Sequence, residues 1–185
     1  MVSHQNIQVI TQQYLDIFPD EQQRLVSLLE RMPFSKSIVS RQDDIGHITV
    51  SVLIFSPDKK KVLLIHHRQL HKWLKPGGHL EPEDDTFFDA CRRETLEEVG
   101  IHDIEFLHSP KNGIPIDIDI HRIPMNLKKN EPEHWHYDLC FVGITNDDRV
   151  TIQEREVTEF RWLVVSDVED DRLKNIFRKL SMNMG

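Results

Sequence analysis

Residues Gly78–Ile101 read GHLEPEDDTFFDACRRETLEEVGI, and the reading of this stretch decides the fold. Its second half predicts a helix over 86–99. Phe87, Ala90, Cys91 and Leu96 offer an apolar face, and Gly100 stands where a C-terminal cap belongs. Glu94, Glu97 and Glu98 are spaced i, i+3 and i+4, so all three project from one side. Like charges at that spacing repel and weaken a helix. A hard divalent cation removes the repulsion, because Mg²⁺ binds through a few carboxylates while keeping waters and substrate phosphates. Taken alone, three glutamates are more simply a solvated acidic face. The neighbours shift the balance: Pro76-Gly77-Gly78 makes a tight loop that lets a ligand approach the backbone, and Arg93 stands beside Glu94.

Upstream, HITVSVLIF (47–55) is rich in β-branched residues and predicts a strand. Ser56-Pro57-Asp58-Lys59 predicts a turn and KVLLIHH (61–67) a second strand, the two forming a hairpin. Downstream, IEFLH (104–108), IPIDIDIHRI (114–123), HWHYDLCFVGI (134–144) and EFRWLVV (159–165) read as strands. Ser166 with Glu169 has the spacing of a capping box for a last helix to about Met182. Residues 1–35 read as helical. One helix covers Ile7–Phe18, and a second, with Asp20 as its N-cap, carries Leu25, Leu28, Leu29 and Met32 on one face before Pro33 ends it. This order predicts an α+β fold: residues 1–40 form an N-terminal helical extension, for packing or dimerisation, and 41–185 form the main domain.

The glutamate helix resembles the Nudix box: a glycine, an acidic residue, Arg-Glu, a hydrophobic residue, any residue, Glu-Glu, any residue, Gly and a hydrophobic residue. Arg93-Glu94-Thr95-Leu96-Glu97-Glu98-Val99-Gly100-Ile101 matches the second half. There are departures. The segment from Gly78 to Arg93 is one residue longer than the usual box, Asp84 or Asp85 replaces the early glutamate, and Thr95 stands where an aliphatic residue is usual. The resemblance spans roughly residues 47–170. It implies a mixed β-sheet sandwiched between helices, and Mg²⁺ or Mn²⁺ held by Glu94, Glu97 and Glu98 with the Gly78 carbonyl. Arg93 would orient the glutamates. The reaction implied is attack of a metal-activated water on a diphosphate linkage. A glutamate acts as general base in this family, at varying positions; Glu98 is one candidate, and Glu154, Glu156 and Glu159 are others. The substrate implied is a nucleoside diphosphate derivative or a similar small phosphorylated molecule.

Other residues extend the candidate site. Arg68, Lys72 and Lys75 are phosphate-binding candidates, with a basic surface turn as the equal alternative. Trp73 fits a core position better than a base-stacking one. His134, His136 and Asp138 alternate along one strand and therefore share a face. That face lines the substrate cleft or, with His79, a second metal site; the plainer alternative is a solvated strand face with Trp135, Tyr137 and Leu139 packed inward.

Bulk properties bound the alternatives. The net charge of −8 argues against binding a nucleic acid duplex, and no apolar run suits a membrane span. Two cysteines provide neither a metal-binding pair nor a disulfide framework, so a cytoplasmic location is expected. Two other functions compete. One is an isopentenyl-diphosphate-isomerase-like enzyme, disfavoured because Gly77 stands where a cysteine is needed. The other is a non-catalytic nucleotide-binding regulatory module, disfavoured by the intact glutamates. Pro115 lies one residue from a position that marks ADP-ribose hydrolases in this family.

Overall fold

A computed structural model describes residues 1–107, 113–127 and 131–183. Eight strands form one mixed sheet, consistent with the α+β reading. They are β1 (Gly46–Phe55), β2 (Lys61–His67), β3 (Lys72–Leu74), β4 (Gly77–His79), β5 (Ile104–Phe106), β6 (Asp117–Ile123), β7 (His134–Thr145) and β8 (Val157–Val164). Among the described residues four α-helices accompany them: α1 (His4–Ile17), α2 (Val26–Arg31), α3 (Phe87–Val99) and α4 (Asp171–Asn183).

The central pair is β1 and β7, parallel from Gly46↔Trp135 to Phe55↔Ile144. Every residue of β1 but the last is buried, as a strand covered on both faces requires. The expected β1–β2 hairpin closes only at Phe55↔Val62. Beyond that point the two strands part. β1 takes β4 and β7 as partners, and β2 takes β3 and β8. The predicted Pro/Gly loop therefore contains two short strands, and β4 lies directly on β1 through Thr49↔His79 and Val50↔Gly78.

Alternation sorts the apolar residues into two cores. Val50, Val52, Ile54, Leu139 and Phe141 pack with α3 residues Ala90, Cys91 and Val99, and with Ile7, Ile10 and Tyr14 of α1. Leu53, Val62, Cys140 and Val142 pack with Leu173 and Ile176 of α4. A buried polar knot joins the termini to the sheet. Lys179 of α4 donates to Asp117 of β6 (2.6 Å) and to the Tyr14 hydroxyl (2.8 Å), and pairs with Glu21 (2.9 Å). Arg24 adds a second bond to Asp117 at 2.8 Å.

Three local expectations need correction. The second N-terminal helix is split into a 3₁₀ turn over Pro19–Leu25 and the short α2. Pro19 opens the turn, Phe18 precedes it, and Asp20 lies inside the first turn rather than capping it. The Ser166–Glu169 capping box does not form. Ser166 bonds to Asp167, and Asp170 caps α4 by accepting from the amides of Arg172 (2.9 Å) and Leu173 (3.0 Å). Asp170 stands immediately before the helix, which gives its carboxylate the shorter reach. On α3, Leu96 is 43% exposed, and the inward positions belong to Ala90, Cys91, Thr95, Glu98 and Val99. Of the segment 104–108, the strand covers Ile104–Phe106, and His108 lies outside the described residues.

Candidate active site

The site is set by how α3 begins and ends. Thr86 caps the N-terminus, accepting from the Asp89 amide (3.1 Å) while Asp89 accepts from the Thr86 amide (3.0 Å). At the other end Gly100 adopts φ +69°, the left-handed conformation glycine takes without penalty. The last carbonyls of α3 find partners in the following loop: Glu98 accepts from the Gln153 amide and Val99 from the Thr151 amide, both at 2.9 Å. Thus α3 is held between β4 and the loop before β8.

Glu94 and Glu98 lie against β4. A Cβ added to Gly78 would sit 2.5 Å from the Glu94 carboxyl carbon, so a side chain here would push that carboxylate from its place. The Gly77 amide donates to Glu98 at 2.9 Å, and Glu98 is 3% exposed. Burial pushes the Glu98 carboxyl up to about 8, and the charges of Glu94, Glu156 and Glu97 add to the rise. Burial also raises Glu94, against the opposing pull of Arg93. Glu97 is exposed and 3.7 Å from Arg93.

Arg93 organises the group. It donates to Glu94 (2.9 Å), to the His79 carbonyl (2.8 Å) and through two nitrogens to Asp84 (3.2 and 2.9 Å). Asp84 and Asp85 are placed differently. Asp84 is buried and also accepts from the Glu81 amide, whereas Asp85 is exposed and pairs with the N-terminal ammonium.

Among the loop glutamates, Glu156 is the one whose charge acts on both Glu94 and Glu98. Glu159 points elsewhere and pairs with Arg161 at 3.6 Å. Arg68 borders the same loop, donating from its side chain to the Glu154 carbonyl (2.9 Å) and from its amide to the Glu156 carbonyl (2.7 Å). Trp73 is an edge residue, packed against the α4 core on one side and covered by Arg161 at 4.2 Å.

The remaining candidates share the other face of the sheet. Register places His47, Thr49 and Ser51 of β1 beside His136, Asp138 and Cys140 of β7, with Asp119 and His121 of β6 alongside and His79 opposite Thr49. Tyr137 and Leu139 do pack inward on the α3 side. Asp138 accepts from Thr49 (3.2 Å) and Ser51 (2.5 Å) and faces Lys75 at 3.6 Å. Lys75 is held charged, well above its usual range, by Cys140, Asp138, Asp117 and Asp119, despite the opposing effect of burial. The sequence reading did not single out His47, Asp119 or His121. The alternation of β1 was the available signal for His47, since it puts that residue on the polar side with Thr49 and Ser51.

Two groups of candidate residues thus lie on opposite faces of the sheet at β4: Gly78, Arg93, Glu94, Glu97, Glu98 and Asp84, then the histidine face. Residues 46–184 match the model of the NUDIX domain. The chain belongs to the NUDIX family. It is similar to a protein of Lactococcus lactis described as a probable DHNTP pyrophosphohydrolase, 27% identical over 124 residues that cover 66% of this chain and 69% of the relative. It is also similar to the human m7GpppN-mRNA hydrolase NUDT17, 28% identical over 143 residues, 72% of this chain and 42% of the relative; it thus spans less than half of that protein. Among solved structures, a NUDIX-family hydrolase from Clostridium perfringens superposes with a TM-score of 0.53 at 25% identity, covering 74% of this chain and 97% of the other. Within the NUDIX domain, α3 is the helix that carries the box glutamates. No helix among the described residues is long and apolar enough to cross a membrane.

Proposed function

We propose that the chain hydrolyses a diphosphate linkage in a nucleoside diphosphate derivative or similar small phosphorylated molecule, at the carboxylates of α3. The observation that carries this reading is the packing of Glu94 and Glu98 against Gly78 and Gly77, with Arg93 and Asp84 holding Glu94 in place. The oxygen donors of Glu94, Glu97 and Glu98, with the Gly78 carbonyl, suit Mg²⁺ or Mn²⁺. They fit such an ion because Glu98 has no cationic side chain paired with it among the described residues, and its ionisation is opposed by burial and by three other glutamates. When bound, the ion supplies Lewis acidity toward a phosphoryl oxygen and lowers the pKa of a coordinated water.

The chain's own groups do the rest. Arg93 fixes the Glu94 carboxylate through a charge-assisted hydrogen bond. The Gly77 amide holds Glu98 Oε2 and leaves Oε1 to accept a proton from an attacking water. Glu156, in the loop tied to the end of α3, is the second proton acceptor in that field. Arg68 lies beside it as a phosphate contact. The activities named for the two relatives, a DHNTP pyrophosphohydrolase and an m7GpppN-mRNA hydrolase, support a nucleotide-derived substrate. Both cysteines are free and buried, in accord with a reducing cytoplasm.

The test is a screen of the purified chain, with Mg²⁺ and with Mn²⁺, against nucleoside diphosphate and triphosphate derivatives, following phosphate, pyrophosphate and nucleotide products. Strong turnover of one class is expected. No turnover across the panel, with Mn²⁺ bound at the glutamates, would count for a binding module instead.

A further inference from the structure

On the sheet face opposite Glu94, three imidazoles from three strands converge. His47 of β1, His79 of β4 and His136 of β7 each offer a ring nitrogen within 4.8 Å of the others. His134 joins them: its Nε2 is 3.2 Å from His136 Nε2, and its ring lies 4.9 Å from that of His47. From these placements we infer a second metal site, separate from the carboxylates of α3, that takes a borderline first-row divalent ion such as Zn²⁺ through His47, His79, His136 and His134.

Four observations carry it. First, His47 is 3% exposed, and its Nε2 is buried without a hydrogen-bond partner. A polar atom in that condition destabilises the fold unless a ligand satisfies it. Second, the other nitrogen of His47 faces the Asp43 carbonyl (3.2 Å), and the other nitrogen of His134 faces the Pro132 carbonyl (2.8 Å). A carbonyl only accepts, so both Nδ1 atoms carry the proton; the Nε2 lone pair of His47 is then bare, and that of His134 faces His136 Nε2. That is the usual outer-shell arrangement of metal-bound histidine. Third, the 3.2 Å between the two Nε2 atoms is close to the ~3.3 Å edge of a tetrahedron with Zn–N of about 2.0–2.1 Å. Fourth, the nearest carboxylates are already engaged. Asp138 is held by Thr49, Ser51 and Lys75, and Asp119 by His121. The donor set is therefore all nitrogen, which selects Zn²⁺ or its neighbours over Mg²⁺. Asp138 thereby drops out of the second-site grouping considered from sequence.

Such an ion would cross-link β1, β4 and β7 where β4 presents Gly77 and Gly78 to the glutamates. The site stands independently of the hydrolase reading, because its residues and its metal preference differ.

The test uses the untagged 185-residue chain. Zn²⁺ affinity is measured by competition with a chromophoric chelator, and Co²⁺ is added as a spectroscopic probe of coordination. One equivalent of Zn²⁺ is expected per chain in the presence of excess Mg²⁺, with a tetrahedral Co²⁺ spectrum. Affinity should fall at least ~100-fold in His47→Asn and His136→Asn, more than the usual cost of losing an outer partner. It should stay unchanged in Glu98→Gln. If His47→Asn does not fold, His79→Asn, at a half-buried position, carries the test alongside a wild-type-like melting curve. Zn²⁺ binding that survives the histidine variants, disappears with Glu98→Gln, or is absent from the wild type overturns the inference.

Discussion

The Gly77 amide donates to the Glu98 carboxylate at 2.9 Å, and this bond links the strand that carries the glycines to the helix that carries the glutamates. Glu98 is otherwise enclosed, and its carboxyl is raised from 4.5 to about 8 by burial, with Glu94, Glu156 and Glu97 adding to the effect. Between those two values the folded chain holds a proton that the unfolded chain has released. Stability linked to Glu98 is therefore full below about pH 4.5 and is lost as pH rises toward 8. In chelator-treated protein, the melting temperature of wild type relative to Glu98→Gln should fall across that window. A difference that stays flat with pH would show that Glu98 is ionised throughout.

Gly78→Ala should cripple the site. Its Cβ would fall 2.5 Å from the Glu94 carboxyl carbon, so either the helix or the carboxylate must move. The atoms met are the end of a flexible side chain, so denaturant melts should change little, while turnover should drop at least ~100-fold, as expected when a positioned group is displaced by an ångström.

Asp84 and Asp85 should separate cleanly. Asp84→Asn weakens a buried, two-bonded contact to Arg93 and should lower both stability and kcat, with a loss of about 1.5–3 kcal/mol for a hydrogen bond to a charged group. Asp85→Asn touches an exposed, solvent-screened pair with the N-terminus and should leave both stability and kcat essentially unchanged. Equal effects in the two variants would remove Asp84 from its place in the site.

Lys179→Met should destabilise the fold by about 3–5 kcal/mol without a selective effect on kcat, because it leaves the buried Asp117 and the half-buried Glu21 with one cation fewer. Urea denaturation checks the first part and single-substrate kinetics the second. A near-neutral variant would mean Arg24 alone neutralises the pair.

Much of this was legible in the residues. Helix α3 declared itself through its glutamate spacing and Gly100, and β1 and β7 through runs of β-branched and aromatic residues long enough to be central strands. Local polar competition was not legible. Asp20 and Ser166 both have good capping chemistry, but Pro19 and Asp170 stand closer to the true starts. Leu96 looked like a core residue by type, yet the helix turns Glu98 inward, because that carboxylate has an amide waiting on β4. The histidine face was half visible. His134 and His136 show their alternation within one strand, whereas His47, His79 and His121 meet them only through strand pairing, which no single segment encodes. The knot of Lys179, Asp117 and Tyr14 has the same origin, joining residues from both ends of the chain.

The most direct test of the central claim is hydrolysis of the best panel substrate by wild type and by Glu98→Gln, each with chelator and with Mg²⁺ restored. Wild type should lose activity with chelator and recover it with Mg²⁺. Glu98→Gln should stay folded and run at least ~100-fold slower under all conditions, the lower range for loss of a proton-transfer group. Turnover that resists the chelator, or a wild-type rate in Glu98→Gln, would contradict the assignment of chemistry to the α3 carboxylates.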